Sequence, residues 1–351
     1  MDPENAIDIY DPRTMLEALI QTTPPKQFFL DTFFSVAVTH DTETVELDMF
    51  KGGRRVAAYV NPILDGQVVV RDGYQTYSTR PAYTKEMTVL RPADTIKRSI
   101  GENIYQAKTP AERAAAALGE DLAMLNERLT RRLEKMCAEA ITTGKIIVNG
   151  KGWNAQVDFG YKAGTNIKVL SGTSCWDQPG SDPITDLNTW RLEISRRCGI
   201  APNYCIVSPR VAMVLIRNKT VLELLNTLNL QIGNIAPESK ANGVSYIGDL
   251  MLPTGKVVLH SYDEVYTDPD TGELIPLVPD DMVILGSSEA RCQMNYGLIQ
   301  NLKILRAVPR FPSIWEKPDG SARFVQLESA PMPNLYQVDA FTVAHVLTGG
   351  V

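Results

Sequence analysis

Histidine is scarce in this 351-residue chain: only His40, His260 and His345 are present, and no two stand in HxxxH or HExxH spacing. A zinc hydrolase therefore has no ligand set. Cysteine is little better supplied. Cys137, Cys175, Cys198, Cys205 and Cys292 are odd in number, irregularly spaced and without a CxxC pair, which reads as buried reduced thiols rather than a disulfide framework or a metal site. No GxSxG elbow, GxxxxGK[ST] loop or GxGxxG turn occurs, so nucleophilic hydrolysis and phosphate cradling lack their local signatures. Asp268-Pro-Asp-Thr-Gly-Glu273 lacks the further carboxylates and distal glutamate of a calcium loop and reads as a hairpin tip. No apolar run approaches the ~20 residues a spanning helix needs. The first residues, Met1-Asp2-Pro3-Glu4-Asn5, are acidic where a secretory signal would be basic and apolar, so the chain is expected in the cytoplasm in which it is made. Neither catalytic, metal-ligating nor cofactor-binding residues are expected, nor any membrane partner.

A positive balance is missing too: the net charge is −6, which is no footprint of a nucleic-acid binder. Its distribution says more than its sum. Residues 1–50 carry ten acidic side chains against Arg13 and Lys26, whereas residues 51–91 carry seven Lys/Arg against Asp65, Asp72 and Glu86. An acidic arm precedes a basic segment. With 44% hydrophobic and 22% charged residues the composition is that of a globular protein, and the length suits two domains or one domain with long excursions.

Thr14–Ile20 reads as one short helix that is too short to stand alone and ends before Pro24-Pro25. Phe28, Phe29, Phe33 and Phe34 form an aromatic cluster, either an anchor for an extended arm or ordinary core. In Thr44–Phe50, Val45, Leu47 and Met49 alternate with polar residues as in a half-buried strand. From Lys51 to Leu90 the chain reads as a basic ribbon of short strands separated by turn signals at Asn61-Pro62, Asp65-Gly66 and Asp72-Gly73, with no partner visible in its own sequence. Such a ribbon is marginal alone in water and is expected to lie on another surface.

The strongest local signal is residues 109–143. Thr109-Pro110-Ala111-Glu112 is a capping box with proline at the first helical position, and Gly144 is the stop. Leu118, Leu122, Leu125, Leu129, Leu133, Met136 and Ala140 recur three or four apart and give one apolar face along roughly 50 Å. The pattern spans little more than three heptads, so a helix laid across a sheet is expected rather than a coiled coil. Its charges, Arg131 and Arg132 among them, suit either a solvated face or ion pairs between subunits. Beyond it, strands at Lys145–Val148 and Ala155–Tyr161 and a helix at Pro183–Cys198 with Asp182 as cap are expected. A strand at Asn203–Val207 and a helix at Pro209–Ile216 complete an α/β alternation, followed by strands at Val257–Tyr262, Met282–Leu285, Ala322–Ser329 and Val338–Val346. His345 falls in the last of these and reads as structural.

Several segments carry a resemblance. Phe33-Phe34 followed by a strand, Ala58-Tyr-Val-Asn-Pro-Ile-Leu-Asp-Gly66 and Arg80-Pro-Ala-Tyr-Thr-Lys85 resemble the N-terminal arm and extended loop of the lambda-type (E-like) major capsid proteins of tailed bacteriophages. Leu277-Val-Pro-Asp-Asp-Met-Val-Ile-Leu-Gly286, Ala290-Arg291, Tyr296-Gly297 and Ala330-Pro331 are similar to the closing segments of the same family. The resemblance spans about residues 28 to 345 in matching order. It implies an α+β, HK97-like capsid fold: an N-terminal arm (1–50), an extended β-ribbon loop (51–91), a peripheral domain (92–162) with a spine helix at 109–143, an axial domain (163–286), and a return to the peripheral domain (287–351). It also implies a non-enzymatic shell protein of the virion, assembled in the host bacterial cytoplasm. The implied partners are copies of itself in hexamers and pentamers, a separate scaffolding protein, a portal protein and weakly held packaged DNA, with a decoration protein left open. Some members of the fold form a Lys–Asn isopeptide bond, and Lys51 and Lys85 lie in the corresponding loop, but the lambda type does not generally form one and none is expected. Expected contacts between subunits are Arg54, Arg55, Tyr59, Arg71, Arg80 and Lys85 of the ribbon, Glu43, Glu46 and Asp48 of the arm, and Arg131 and Arg132 of the helix. The rival readings are a soluble α/β hydrolase or ligand-binding protein, and a tail or decoration protein.

Overall fold

In the computed structural model of the chain, which describes residues 14–16, 27–50, 74–96, 109–150, 153–218, 221, 235–239, 243–269, 271–304 and 306–349, the capping box at Thr109 is formed. The Thr109 hydroxyl accepts from the Glu112 N–H at 3.3 Å, and the Glu112 carboxylate accepts from the Thr109 N–H at 2.7 Å. The helix runs Pro110–Thr143 and stops at Gly144, whose φ of 67° is left-handed. Its first half lays Leu118, Leu122, Leu125 and Leu129 on Val325 and Leu327 of a three-stranded sheet, with Met15 sealing the same cluster. Its second half enters the main core, where Leu133, Met136, Cys137 and Ile141 meet Phe29, Phe33, Ile146 and Met332. The long helix thus joins two packing regions, as its unbroken apolar stripe requires.

A seven-stranded mixed sheet forms the second body of the fold, in the order Ile167–Val169, Thr342–His345, Met282–Gly286, Tyr204–Val207, Gly255–Tyr262, Val244–Leu252 and Ile235–Ser239. Both faces are covered, so alternate residues divide between two cores. Ile206, Ile284 and Val343 face the core of the long helix, while Cys205, Val207, Val283, Leu285 and Ala344 face a second core under the helices Pro183–Cys198 and Pro209–Arg217. In that second core the rings of Trp176 and Trp190 stack at 5.9 Å. Asp182 and Ser208 cap the two helices from their side chains. Cys137, Cys175, Cys205 and Cys292 are buried thiols, and Cys198 is half-buried.

The aromatic cluster resolves into core. Phe28–Phe33 is a short helix with Phe29 and Phe33 buried, and the chain then runs into Val36–Thr39, which pairs in parallel with Cys292–Tyr296. Two expectations need correction. Thr84–Leu90, read as the last strand of a ribbon without a partner, pairs antiparallel with Arg323–Ser329 along its whole length, in a sheet completed by Phe311–Glu316. Its partner lies more than 230 residues away, beyond the reach of any local pattern. Val338–Val346 is not one strand: Val338–Ala340 is a 3₁₀ turn, held because the Asn166 side-chain amide donates to the carbonyls of Val338 and Phe341, both at 3.1 Å, and only Thr342–His345 is extended. Asp268 to Glu273 joins Val265–Thr267 to Leu274–Pro276 and so lies at a hairpin tip as expected. Pro331–Leu335 gave no strand signal because of its two prolines, and it pairs on one side only, as the edge of a three-stranded sheet where proline is tolerated. Among the described residues no helix is long and apolar enough to cross a membrane.

Candidate assembly surface

Val45–Phe50 and Tyr74–Thr79 pair antiparallel, from Val45↔Thr79 to Phe50↔Tyr74, and form a two-stranded sheet of their own. The ribbon therefore starts inside the segment read as the acidic arm and closes at Thr79. Val45 is fully buried at its root. Just below, Arg80 Nη2 lies 3.4 Å from Glu43 Oε1, each side chain about half exposed, so this pair is worth ~0.2–1 kcal/mol after screening. Glu46 and Asp48 stand on the first strand, opposite Ser78 and Thr76. Lys51, Arg54, Arg55, Tyr59, Arg71 and the three turn signals lie outside the described residues.

The chain leaves the ribbon through Tyr83 and Lys85 into the Thr84–Leu90 sheet. The two faces of that sheet differ in kind. One carries Glu86, Thr88, Val325 and Leu327 toward the long helix. The other is open: Met87 is 57% exposed, Val89 42% and Trp315 38%, and the Trp315 ring stacks on Phe324 at 5.3 Å. A cleft of about 550 Å³ runs over this face, lined by Lys85, Met87, Asn301, Lys303, Ser313, Trp315 and Gln326. Beneath it Glu328 is fully buried and satisfied by a closed set of donors: the Tyr83 hydroxyl, the Gln326 amide, and the Asn301 amide at 2.9 Å, with Lys85 Nζ at 4.0 Å. Burial, reinforced by the hydrogen bond to Glu328, pushes the Tyr83 phenol well above its ordinary range. This buried carboxyl group is not left without partners inside the sheet, because its lone pairs are spoken for.

A second cleft, of about 660 Å³, follows the long helix past Arg128, Arg131, Arg132 and Lys135 to Tyr266 and Pro269 of the hairpin. Arg128 grips Glu86 with two nitrogens, at 2.6 and 3.3 Å. Arg131 reaches Glu127 at 2.6 Å one turn back, and Lys135 lies 3.4 Å from Glu139 and 4.2 Å over the Tyr266 ring. Arg132 is exposed on this flank.

The structure thus brings Glu43 to Arg80 at the ribbon root, and Lys85 to the edge of the open face. It sets Arg131 and Arg132 along the helix flank, in the second cleft, whose wall Lys85 also forms. Sequence reasoning missed the Arg128–Glu86 clasp and the Met87, Val89, Trp315, Phe324 face. The alternation in Thr84–Leu90 carried half of that signal, since Met87 and Val89 share one side and Glu86 and Thr88 the other. The contribution of Trp315 and Phe324 depends on a pairing that the alternation does not encode.

With this geometry in view, comparison with known proteins is informative. The family described as phage major capsid protein E matches residues 11–346. The P21 prophage-derived major head protein of Escherichia coli O6:H1 (strain CFT073) is 27% identical, over 96% of this chain and 99% of the relative. The major capsid protein of Escherichia phage lambda is 27% identical, over 95% of this chain and 98% of the relative. Among solved structures, a prophage protein of Escherichia coli CFT073 assigned as a capsid protein superposes with a TM-score of 0.72 at 20% identity, covering 95% of this chain and 98% of that one. The capsid of cyanophage P-SCSP1u superposes with a TM-score of 0.51 at 10% identity, covering 93% and 89%. The shared architecture is the α+β, HK97-like capsid fold.

Proposed function

The chain belongs to the phage major capsid protein E family and is the major capsid protein of a tailed phage, and from that premise we propose that the ribbon rooted between Val45 and Thr79 straps each copy to its neighbours in the shell. The observation that carries this reading is the ribbon's isolation: two strands joined only to each other, without a third strand among the described residues to supply a core. Its stability then comes from a second copy. Arg54, Arg55, Tyr59 and Arg71 supply its contact groups, with Glu46 and Asp48 of an adjoining copy as acceptors. Arg80 and Glu43 close the root within one chain, Lys85 borders the open face, and Arg131 and Arg132 serve a further contact along the helix flank.

The open face of the Thr84–Leu90 sheet is the second part of the reading. Met87, Val89, Trp315 and Phe324 make a contiguous apolar surface, and in a protein surrounded by copies of itself the occupant is a second copy. A variant carrying Met87→Glu and Trp315→Glu should fold with a cooperative melt, since both positions are exposed in the free subunit. It should give no shells by negative-stain microscopy, because two carboxylates would have to be buried against the neighbour. Normal shells from this variant would remove the open face from the assembly.

In this reading residues 1–50 are the arm, the loop is carried on the Val45–Thr79 ribbon, the long helix is the spine of the peripheral domain, and the seven-stranded sheet belongs to the axial domain, which thereby takes in Thr342–His345, a strand expected from sequence in the peripheral return. Copies form hexamers and pentamers of an icosahedral shell in the host cytoplasm, with a separate scaffolding protein and a portal. A coat of net charge −6 contacts packaged DNA weakly, which lets the genome be driven in and leave again. No catalytic role is proposed.

A further inference from the structure

The arm helix Phe28–Phe33 has no side-chain cap of its own, because Gln27 at its start makes none. The cap comes from another part of the chain. Glu134, on the long helix, accepts from the Phe29 N–H at 2.7 Å through one carboxylate oxygen and from the Leu30 N–H at 3.1 Å through the other, and the Tyr262 hydroxyl donates to it at 3.0 Å. Glu134 is only 3% exposed, and among the described residues no lysine or arginine pairs with it. One carboxylate therefore ties three segments together: the arm, the long helix and the strand Gly255–Tyr262.

We propose that Glu134 is a proton-operated latch that sets how firmly the N-terminal arm is seated on the subunit. A permanent fastener at this position would be a neutral amide or an ion pair. A lone carboxylate held by neutral donors keeps the arm in place but makes the seat costly whenever it is ionised. Burial is the largest influence on Glu134 and raises its pKa above the ordinary glutamate value, against the opposing effect of its donors, the N–H groups of Phe29, Leu30 and Phe28 and the Tyr262 hydroxyl. When the arm lifts, the carboxyl is rehydrated and returns toward that ordinary value. The seated state therefore binds the proton more tightly. Seating strengthens as pH falls through the raised value, is complete below the ordinary one, and weakens once the group is ionised.

The other titratable groups around this seat are few. Asp31 on the arm is exposed and turned to the Gln27 N–H. Cys137 lies one turn along the helix, Cys292 stands on a neighbouring strand, and burial pushes both thiols up. Burial likewise raises the Tyr262 phenol and Glu264, the latter opposed by Arg131. His260 stands close by, its ring 5.3 Å from that of Phe28.

Hydrogen exchange on the unassembled full-length subunit separates these possibilities and does not depend on whether shells form. Corrected for intrinsic chemistry, protection of the Phe29 and Leu30 amides in the wild type should rise several-fold from about pH 8 to about pH 5.5. Glu134→Gln, neutral at every pH, should hold that protection level across the range. Tyr262→Phe removes one donor to the ionised form and should move the midpoint to higher pH. Amides of Ile206 and Ile284 in the central sheet report that each variant is folded. A flat wild-type profile would make Glu134 a static cap, and an unchanged slope in Glu134→Gln would assign the response to a group other than Glu134; either result overturns the latch.

Discussion

Replacing residues 51–73 by a two-residue Asn-Gly turn should leave a folded subunit that makes no shells. Phe50 and Tyr74 are the outermost pair of the ribbon among the described residues, so a type I′ turn can close the hairpin directly at that point. The four buried clusters are built by described residues that the excision leaves in place. Shortening a loop also lowers its closure entropy, by ~0.6 kcal/mol for each halving, so the melting temperature should hold or rise slightly. Assembly should fail for a different reason. The segment carries Lys51, Arg54, Arg55 and Arg71 together with Tyr59 and the run Val68 to Val70, and a shell repeats whatever contact these make at every subunit boundary. Even a loss of ~1–2 kcal/mol at each contact would multiply across a closed shell. Negative-stain microscopy and sedimentation distinguish the outcomes. Intact particles from the shortened chain would show that the ribbon is not the strap.

How much of this could be read in advance depends on the range of the determining contact. The long helix was legible to the residue because its start, stop and apolar stripe are all local: Thr109, Pro110, Glu112 and Gly144 mark the ends, and Leu118 to Ala140 mark the buried face. The helix Pro183–Cys198, with Asp182 and Gly199 at its ends, was legible for the same reason. The strand Thr84–Leu90 was visible as a strand, but its partner Arg323–Ser329 was not, and this moved it from the ribbon to the peripheral sheet. Pro331–Leu335 was hidden by its prolines. At the assembly surface, charge counting singled out Glu43 and Arg80, but as contacts between subunits, whereas the structure pairs them within one chain. Charge counting could not find Glu134 or Glu328, because a buried carboxylate looks like any surface glutamate until its donors, 105 residues away at Phe29 or 245 at Tyr83, are folded against it.

The same long helix supports a prediction in which one kind of substitution changes sign with position. Gly119→Ala should stabilise the subunit, whereas Gly144→Val should leave little of it folded at 37 °C. Gly119 lies inside the helix, and a methyl group there would meet nothing within 4 Å, so the gain is the helix propensity of alanine over glycine, ~0.8–1 kcal/mol. Gly144 ends the helix at φ 67°, and an added Cβ would overlap the Tyr161 ring. Two costs combine at this site. A β-branched residue in the left-handed region costs ~1–2 kcal/mol or more, and the Tyr161 ring has to be driven out of its packing, at a further ~1–3 kcal/mol. The ring has little room to yield, because its hydroxyl is buried and it packs at the edge of the main core. The hairpin Lys145–Gly150 with Trp153–Asp158 starts at the next residue, so displacing Gly144 also disturbs the hydrogen bond from the Phe159 N–H to its carbonyl, at 2.9 Å. Chemical denaturation of the unassembled subunit measures both variants on one scale. Equal midpoints for Gly119→Ala and Gly144→Val would mean that the helix stop does not depend on the left-handed glycine or on Tyr161 closing over it.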